Sequence, residues 1–262
     1  MGIVGTDVSK EAANLILTDD NFATIVSAVE EGRRIYSNIL KAIQFLISSN
    51  IGEIIVLFVA IMFTPLIAKW FGLTADIAHL VPLLPIHILW INLVTDSLPA
   101  LALAVEPAEK NIMNKKPTKA SAGIFTKGLT FRVGYQGIMI GAATLIAFCL
   151  GISTPNISQE EKIQIGQTMA FLTLGLIELV HVFNTKDNKL SLFKTGILNN
   201  PMLILAVLVS ALLMLITIFI PALRSVFALT LLSKEHVIQL LILIFSPIVI
   251  VEVMKLLKLN GK

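Results

Sequence analysis

The chain of 262 residues carries one cysteine, Cys149, so no disulfide can form within it and no cysteine cluster can hold zinc. Cys149 sits in an apolar run and reads as a small buried hydrophobe. Charge is also sparse. Only 14% of residues are Asp, Glu, Lys or Arg, too few to cover a soluble domain of this length. No glycine-rich phosphate loop is present; Gly2 and Gly5 form too short and generic a pair to count. The opening residues are polar and mixed rather than basic then apolar, so no secretory leader is expected and the first segment should stay in the cytoplasm. No nucleic-acid partner is expected.

What the chain has in excess is apolar length. Hydrophobic residues make up 56% of it, and the mean hydropathy is +0.87. Six runs reach the ~20 residues that a helix needs to cross a bilayer. They lie at 39–63, 84–105, 129–152, 165–183, 202–223 and 237–257. Lipid satisfies no backbone polar group, and these runs lack the alternation of barrel strands, so helices are expected. The fold class is therefore an all-α polytopic membrane bundle of six transmembrane helices. Residues 1–34 read as a short α/β remnant: Thr6 or Asp7 caps a helix over 8–14, Leu15-Ile16-Leu17 forms a buried strand, and Asp20 or Asn21 caps a helix through Glu31. That is too little chain to bury a core, so it reads as the edge of a larger domain.

Lys and Arg alternate in density between the runs. Lys10, Arg33 and Arg34 precede the first. Lys110, Lys115, Lys116, Lys119 and Lys127 lie between the second and third. Lys186, Lys189 and Lys194 lie between the fourth and fifth, and Lys258 and Lys262 end the chain. The other loops hold Lys69, Lys162, Arg224 and Lys234. By the positive-inside rule both termini face the cytoplasm.

Polar residues deep in a span cost about 3 kcal/mol for a central Asp and usually mark an ion or substrate path. The first two spans concentrate them. Asn50 and Glu53 are three apart and share one helix face; Asn92, Thr95 and Asp96 share another. Together they offer two carboxylates, two amide oxygens and a hydroxyl, with no His or Cys. This oxygen-only set suits a hard cation such as Ca2+, and Mn2+ fits the same donors. Pro99 lacks an N–H, which leaves the Thr95 carbonyl without its helical partner beside Asp96. Ser48, Ser49 and Thr95 also have a plainer reading, as hydrogen bonds between helices. Glu178 and His181 share a face of the fourth span, His181 as a hydrogen-bonded core residue and Glu178 as a counter-charge or proton carrier. Arg132 and Glu252 are expected to snorkel from span ends, and Pro247 to kink the last helix.

At these residues the chain resembles the C-terminal part of the P-type ATPases, and among them the calcium pumps of sarcoplasmic-reticulum type. MGIVGTDVSKEAANLILTDDNFATIVSAVEEGRRIYSNI resembles the end of their phosphorylation domain and its stalk. FLISSNIGEI resembles their fifth helix and WINLVTDSLPALALAVEP their sixth. The resemblance implies three parts: 1–34, the end of the phosphorylation domain and stalk; 35–106, the ion-binding helices; and 107–262, a four-helix support domain. It implies Asn50, Glu53, Thr95 and Asp96 as ligands of one calcium, and Asn92 and Asp96 of a second. The acidic eighth-helix ligand of two-site pumps falls near Thr185, with Glu178 two turns earlier, so a one-ion cycle stays open. The family's phosphorylated aspartate, nucleotide-binding and actuator domains and first four helices have no counterpart here. Met1 matches an internal methionine, and the chain is expected to be part of a longer pump.

The reading is thus the transmembrane part of an ATP-driven pump that exports Ca2+ across the plasma membrane with proton countertransport. Mg2+ and ATP belong to the parent, and this chain alone is expected to be inactive. Its partners are the bilayer, a divalent cation and the missing N-terminal portion. Two alternatives are an ATP-independent six-helix carrier or channel, and a membrane subunit that partners a separate ATPase half.

Overall fold

The computed structural model describes residues 1–73, 80–109, 111–114, 116–117, 123–188 and 190–257. Lys110, Lys115, Lys119, Lys189, Lys258 and Lys262, which carry much of the loop charge asymmetry, lie outside the described residues.

Helix α1 (Asp7–Glu11) is capped by Thr6, whose hydroxyl accepts the Ser9 N–H; it ends short of the expected residue 14. The expected strand at Leu15-Ile16-Leu17 does not form. The segment has no regular structure, and the Leu17 carbonyl accepts the N–H groups of Gly2 (2.6 Å) and Asp20 (3.4 Å). Leu15 and Ile16 are exposed. A strand needs a neighbouring edge, and among the described residues none is offered. Asp20, at φ 52°, accepts the N–H groups of Ile3 (3.2 Å) and Val4 (2.8 Å) and ties the segment to the next helix.

Asn21 caps α2 (Phe22–Trp70), accepting the Ala23 N–H at 3.0 Å. This helix runs 49 residues and fuses the expected stalk helix and first span. Between Glu31 and Ile39 only Gly32 is a weak helix former and no proline intervenes, so nothing stops the helix. The second span is composite: α3 (Pro85–Ile91), one π-helical turn (Asn92–Asp96) and α4 (Ser97–Ala104). Pro85 opens α3, where its missing N–H removes no bond.

Helices α5 (Lys127–Ile152) and α6 (Gln159–Thr185) follow, then α7 (Leu192–Thr195) and α8 (Pro201–Phe219). Helix α8 stops before the expected Leu223. Ile220 precedes a proline and is extended (φ −84°, ψ 116°), and Pro221 starts α9 (Pro221–Val226). Helix α10 (Lys234–Leu256) closes the bundle. Pro247 would free the Leu243 carbonyl, and the Ser246 hydroxyl donates to that oxygen at 2.7 Å. Among the described residues six helices, counting Pro85–Ala104 as one, are long and apolar enough to cross a membrane.

Helix α6 is the most enclosed of them, and α8 and α10 turn most of their apolar surface outward. Phe148, Phe171, Leu174, Ile177 and Met214 fill the core around α6. The seam between α2 and α5 is set by glycine. A Cβ on Gly137 would stand 2.5 Å from Ile51 Cγ2, 2.8 Å from Ile51 Cβ and 3.1 Å from the Ser48 carbonyl, so only glycine lets the backbones approach this closely. Gly52 and Gly141 interlock the same way against Ile140 and Ile55.

Arg132 and Glu252, expected to snorkel, both bond to groups of the protein. Arg132 Nε donates to Gln44 Oε1 at 3.1 Å. Glu252 accepts the Leu192 N–H at 3.0 Å and Lys255 Nζ at 3.1 Å. His181 is fully buried, with Nε2 3.4 Å from Ser48 Oγ and Nδ1 3.4 Å from Asn184 Nδ2, a hydrogen-bonded core residue as expected. At the opposite end of the bundle, His87 Nδ1 accepts the Leu84 N–H (3.2 Å), so its Nε2 carries the proton and donates to the Phe227 carbonyl at 2.7 Å.

Candidate cation site

The π turn places the polar residues of the second span. It inserts an extra residue into the helix and loosens its hydrogen-bond ladder just before Pro99. Neighbouring hydroxyls take carbonyls of this turn: Ser97 Oγ donates to Asn92 O (2.9 Å), and Ser210 Oγ of α8 donates to Val94 O (2.6 Å). The break expected at Thr95 is thus spread over one turn and held from both sides.

Glu53 on α2 is buried. The Asn92 amide nitrogen lies 2.9 Å from its Oε1 and 3.1 Å from its Oε2, and also donates to Ile88 O at 3.0 Å. Thr95 is fully buried, and its hydroxyl lies 2.9 Å from both the Ile91 carbonyl and Glu178 Oε2. Its one proton serves one of the two. Asp96 is 2% exposed and is flanked by Ser49 and Glu178. Both carboxyl oxygens of Asp96, together with Ser49 Oγ and Glu178 Oε1, are buried without a hydrogen-bond partner. Oxygens left bare in this way are costly unless something positive comes to them.

Glu178 is the residue that spacing did not place. It is the one carboxylate deep in α6 and is fully buried. Gly175, one turn earlier on the same face, makes room for Met214 of α8: a Cβ there would stand 2.4 Å from Met214 Cε, and 3.5 Å from Thr95 Cγ2, an ordinary contact. The signal available in the sequence was an ionisable residue within a span, a functional candidate by default. Thr185 lies seven residues further, about 10 Å along the helix, and its hydroxyl donates to its own helix at Val182 O (2.7 Å).

The structure brings together Glu53, Asn92, Thr95 and Asp96, adds Glu178 and Ser49, and leaves Asn50 aside. Asn50 is exposed, and its amide donates to Leu46 O at 2.7 Å. Among the described residues no three Asp, Glu, His or Cys side chains already stand at metal-binding spacing. The carboxylates are neighbours rather than a finished cage.

Six membrane-length helices around a buried polar cluster place this chain among the polytopic integral membrane proteins. Residues 80–257 match the family described as Cation transporting ATPase, C-terminus, and the chain belongs to that family. It is 41% identical to Calcium-transporting ATPase 1 of Bacillus cereus over 99% of its own length and 29% of the relative's. It is 44% identical to Calcium-transporting ATPase of Bacillus subtilis over 87% of its length and 23% of the relative's. Calcium-transporting ATPase type 2C member 1 of Pongo abelii is 32% identical over 97% of this chain and 26% of that protein. The chain therefore spans between 23% and 29% of the length of these relatives.

Proposed function

We propose that this chain is the cation-binding membrane portion of an ATP-driven pump that moves Ca2+ out of the cytoplasm. The observation that carries the reading is the buried meeting of Glu53, Asp96 and Glu178 at a broken helix, with four oxygens lacking partners. Three carboxyl groups gathered in a buried site are costly to ionise without a counter-charge, and a divalent cation supplies one. Glu53, Asn92, Thr95, Asp96 and Glu178 are its proposed ligands. Asn50 joins them by turning inward from its present hydrogen bond. The names of the relatives above supply calcium as the ion, and the oxygen donors agree with it.

In this reading ATP and Mg2+ act in the parts of the pump that lie outside this chain, which alone does not hydrolyse ATP. Residues 1–34 belong to the phosphorylation domain and stalk, 35–106 carry ligands and 107–262 support them. These divisions are functional, since α2 crosses the first without a break and Glu178 brings a ligand from the third part. The membrane is the plasma membrane with both termini cytoplasmic, and protons return as calcium leaves.

The test is uptake of radioactive calcium by liposomes holding the full-length protein. ATP-dependent uptake, absent without ATP, is expected. Uptake that needs no ATP would establish a carrier instead. The choice between Glu178 and Thr185 has its own test. Glu178→Gln should weaken calcium binding about a hundredfold, because a charged oxygen donor is lost. Thr185→Val should leave the affinity within about twofold, because that hydroxyl serves only its own helix.

A further inference from the structure

On the stalk side, the ends of α4, α6 and α8 meet α2 at Asn38 in a buried polar knot that the cation cluster does not use. Glu106, two residues past α4, is 6% exposed. One of its carboxyl oxygens lies 3.2 Å from Lys186 Nζ, and the other accepts the Asn200 amide at 2.7 Å. Lys186 caps α6 and also donates to the carbonyls of Gly196 (3.2 Å) and Ile197 (3.4 Å). Asn200 caps α8, accepting the Leu203 N–H at 3.0 Å, while its amide also reaches Ala102 O at 3.0 Å. From α2, the Asn38 amide donates to Glu106 O (2.7 Å) and Ala104 O (3.2 Å).

Every charged atom in the knot is bonded. Even so, apolar residues of similar size would often stabilise a fold as well as a buried ion pair does. Position gives the pair a reason. Glu106 follows Asp96 by ten residues, about 15 Å along the helix, and Lys186 follows Glu178 by eight, about 12 Å. The two helices that bring Asp96 and Glu178 together are thus fastened a second time, at the same end. Four oxygens of the cluster make no hydrogen bond, so the cluster does little by itself to hold the π turn against α6, and the knot supplies that hold. We propose that Glu106, Lys186 and Asn200 are positioning residues for the cation cluster, holding Asp96 and Glu178 in register across the contact between the π turn and α6. The inference rests on the reading of that cluster as the cation site.

The test uses the full-length protein in lipid nanodiscs with Lys186→Met, Lys186→Arg and Asn200→Ser. Serine keeps the α8 cap but loses the bridge to Glu106. Amide hydrogen exchange in 92–96 and 178–184 reads helix register without any cation, and calcium affinity reads the site. Lys186→Met and Asn200→Ser should speed exchange in both segments about tenfold or more and weaken calcium binding about tenfold, with Lys186→Arg within about threefold of the unaltered protein. Should Lys186→Met fail to fold, Asn200→Ser carries the test. Exchange within about twofold of the unaltered protein in both segments, with only a lower melting temperature, overturns the inference. If the unaltered protein binds no calcium while exchange still responds, the site reading fails and the positioning role stands.

Discussion

Replacing Asp96 with Asn should weaken calcium binding by about a hundredfold, about 2.7 kcal/mol, and should not destabilise the cation-free protein. Both expectations follow from one observation: the two Asp96 oxygens are buried and have no hydrogen-bond partner. A structural aspartate holds donors in place, and its loss strands them. Asp96 holds none, so nothing is stranded. Asn keeps the shape of the side chain without an ionisable group, so the empty site has one fewer buried acid to accommodate. In the absence of calcium the melting temperature should stay level or rise. The rise that calcium produces in the unaltered protein, which follows from binding to the folded state, should vanish. Thermal melts with and without calcium separate the two roles. A lower cation-free melting temperature with unchanged calcium affinity would make Asp96 part of a structural polar core and sink the ligand assignment.

The second large effect is on the fold. Gly137→Val should destabilise the protein by about 3 kcal/mol, at the upper end of what over-packing usually costs. The first added carbon already meets Ile51 Cβ at 2.8 Å and a backbone carbonyl at 3.1 Å, and neither is the free end of a flexible side chain. Helix α5 must therefore move away from α2. The contacted stretch, Ser48 to Ile51, lies between the buried polar face of α2 and Glu53, so calcium affinity should fall together with stability. Gly134→Val is the control. A Cβ at Gly134 meets nothing within 4 Å, and that substitution should change the melting temperature little. Equal effects from the two substitutions would mean that the glycine seam does not set the helix spacing.

The six spans were legible because apolar length is a local property of the sequence. Asn92, Thr95 and Asp96 were legible as one face because helical spacing fixes their mutual direction before any neighbour is known. Glu178 was visible as an anomaly but not as a member of the cluster. One carboxylate on a long helix carries no information about how that helix is rotated in the bundle. The rotation is set by tertiary packing, such as Gly175 against Met214 of α8, which spacing does not encode. Asn50 shows the reverse case. Three residues turn a helix by about 300°, which leaves Asn50 about 60° from Glu53, and the edge of the buried face falls between them. The segment at Leu15–Leu17 was legible in composition alone; its pairing depends on an edge that these residues do not supply.

Helix α2 has one more consequence. From Phe22 to Glu53 it covers 31 steps, about 46 Å, and its first proline is Pro65, beyond the carboxylate. An unbroken hydrogen-bond ladder over that distance resists twisting as well as bending. A turn imposed at Phe22 arrives at Glu53 as a turn of nearly the same angle, as in a drive shaft. The carboxylate can be swung toward or away from Asn92 and Asp96 from the far end of the helix, once the contacts at Asn38 and along the glycine seam give way.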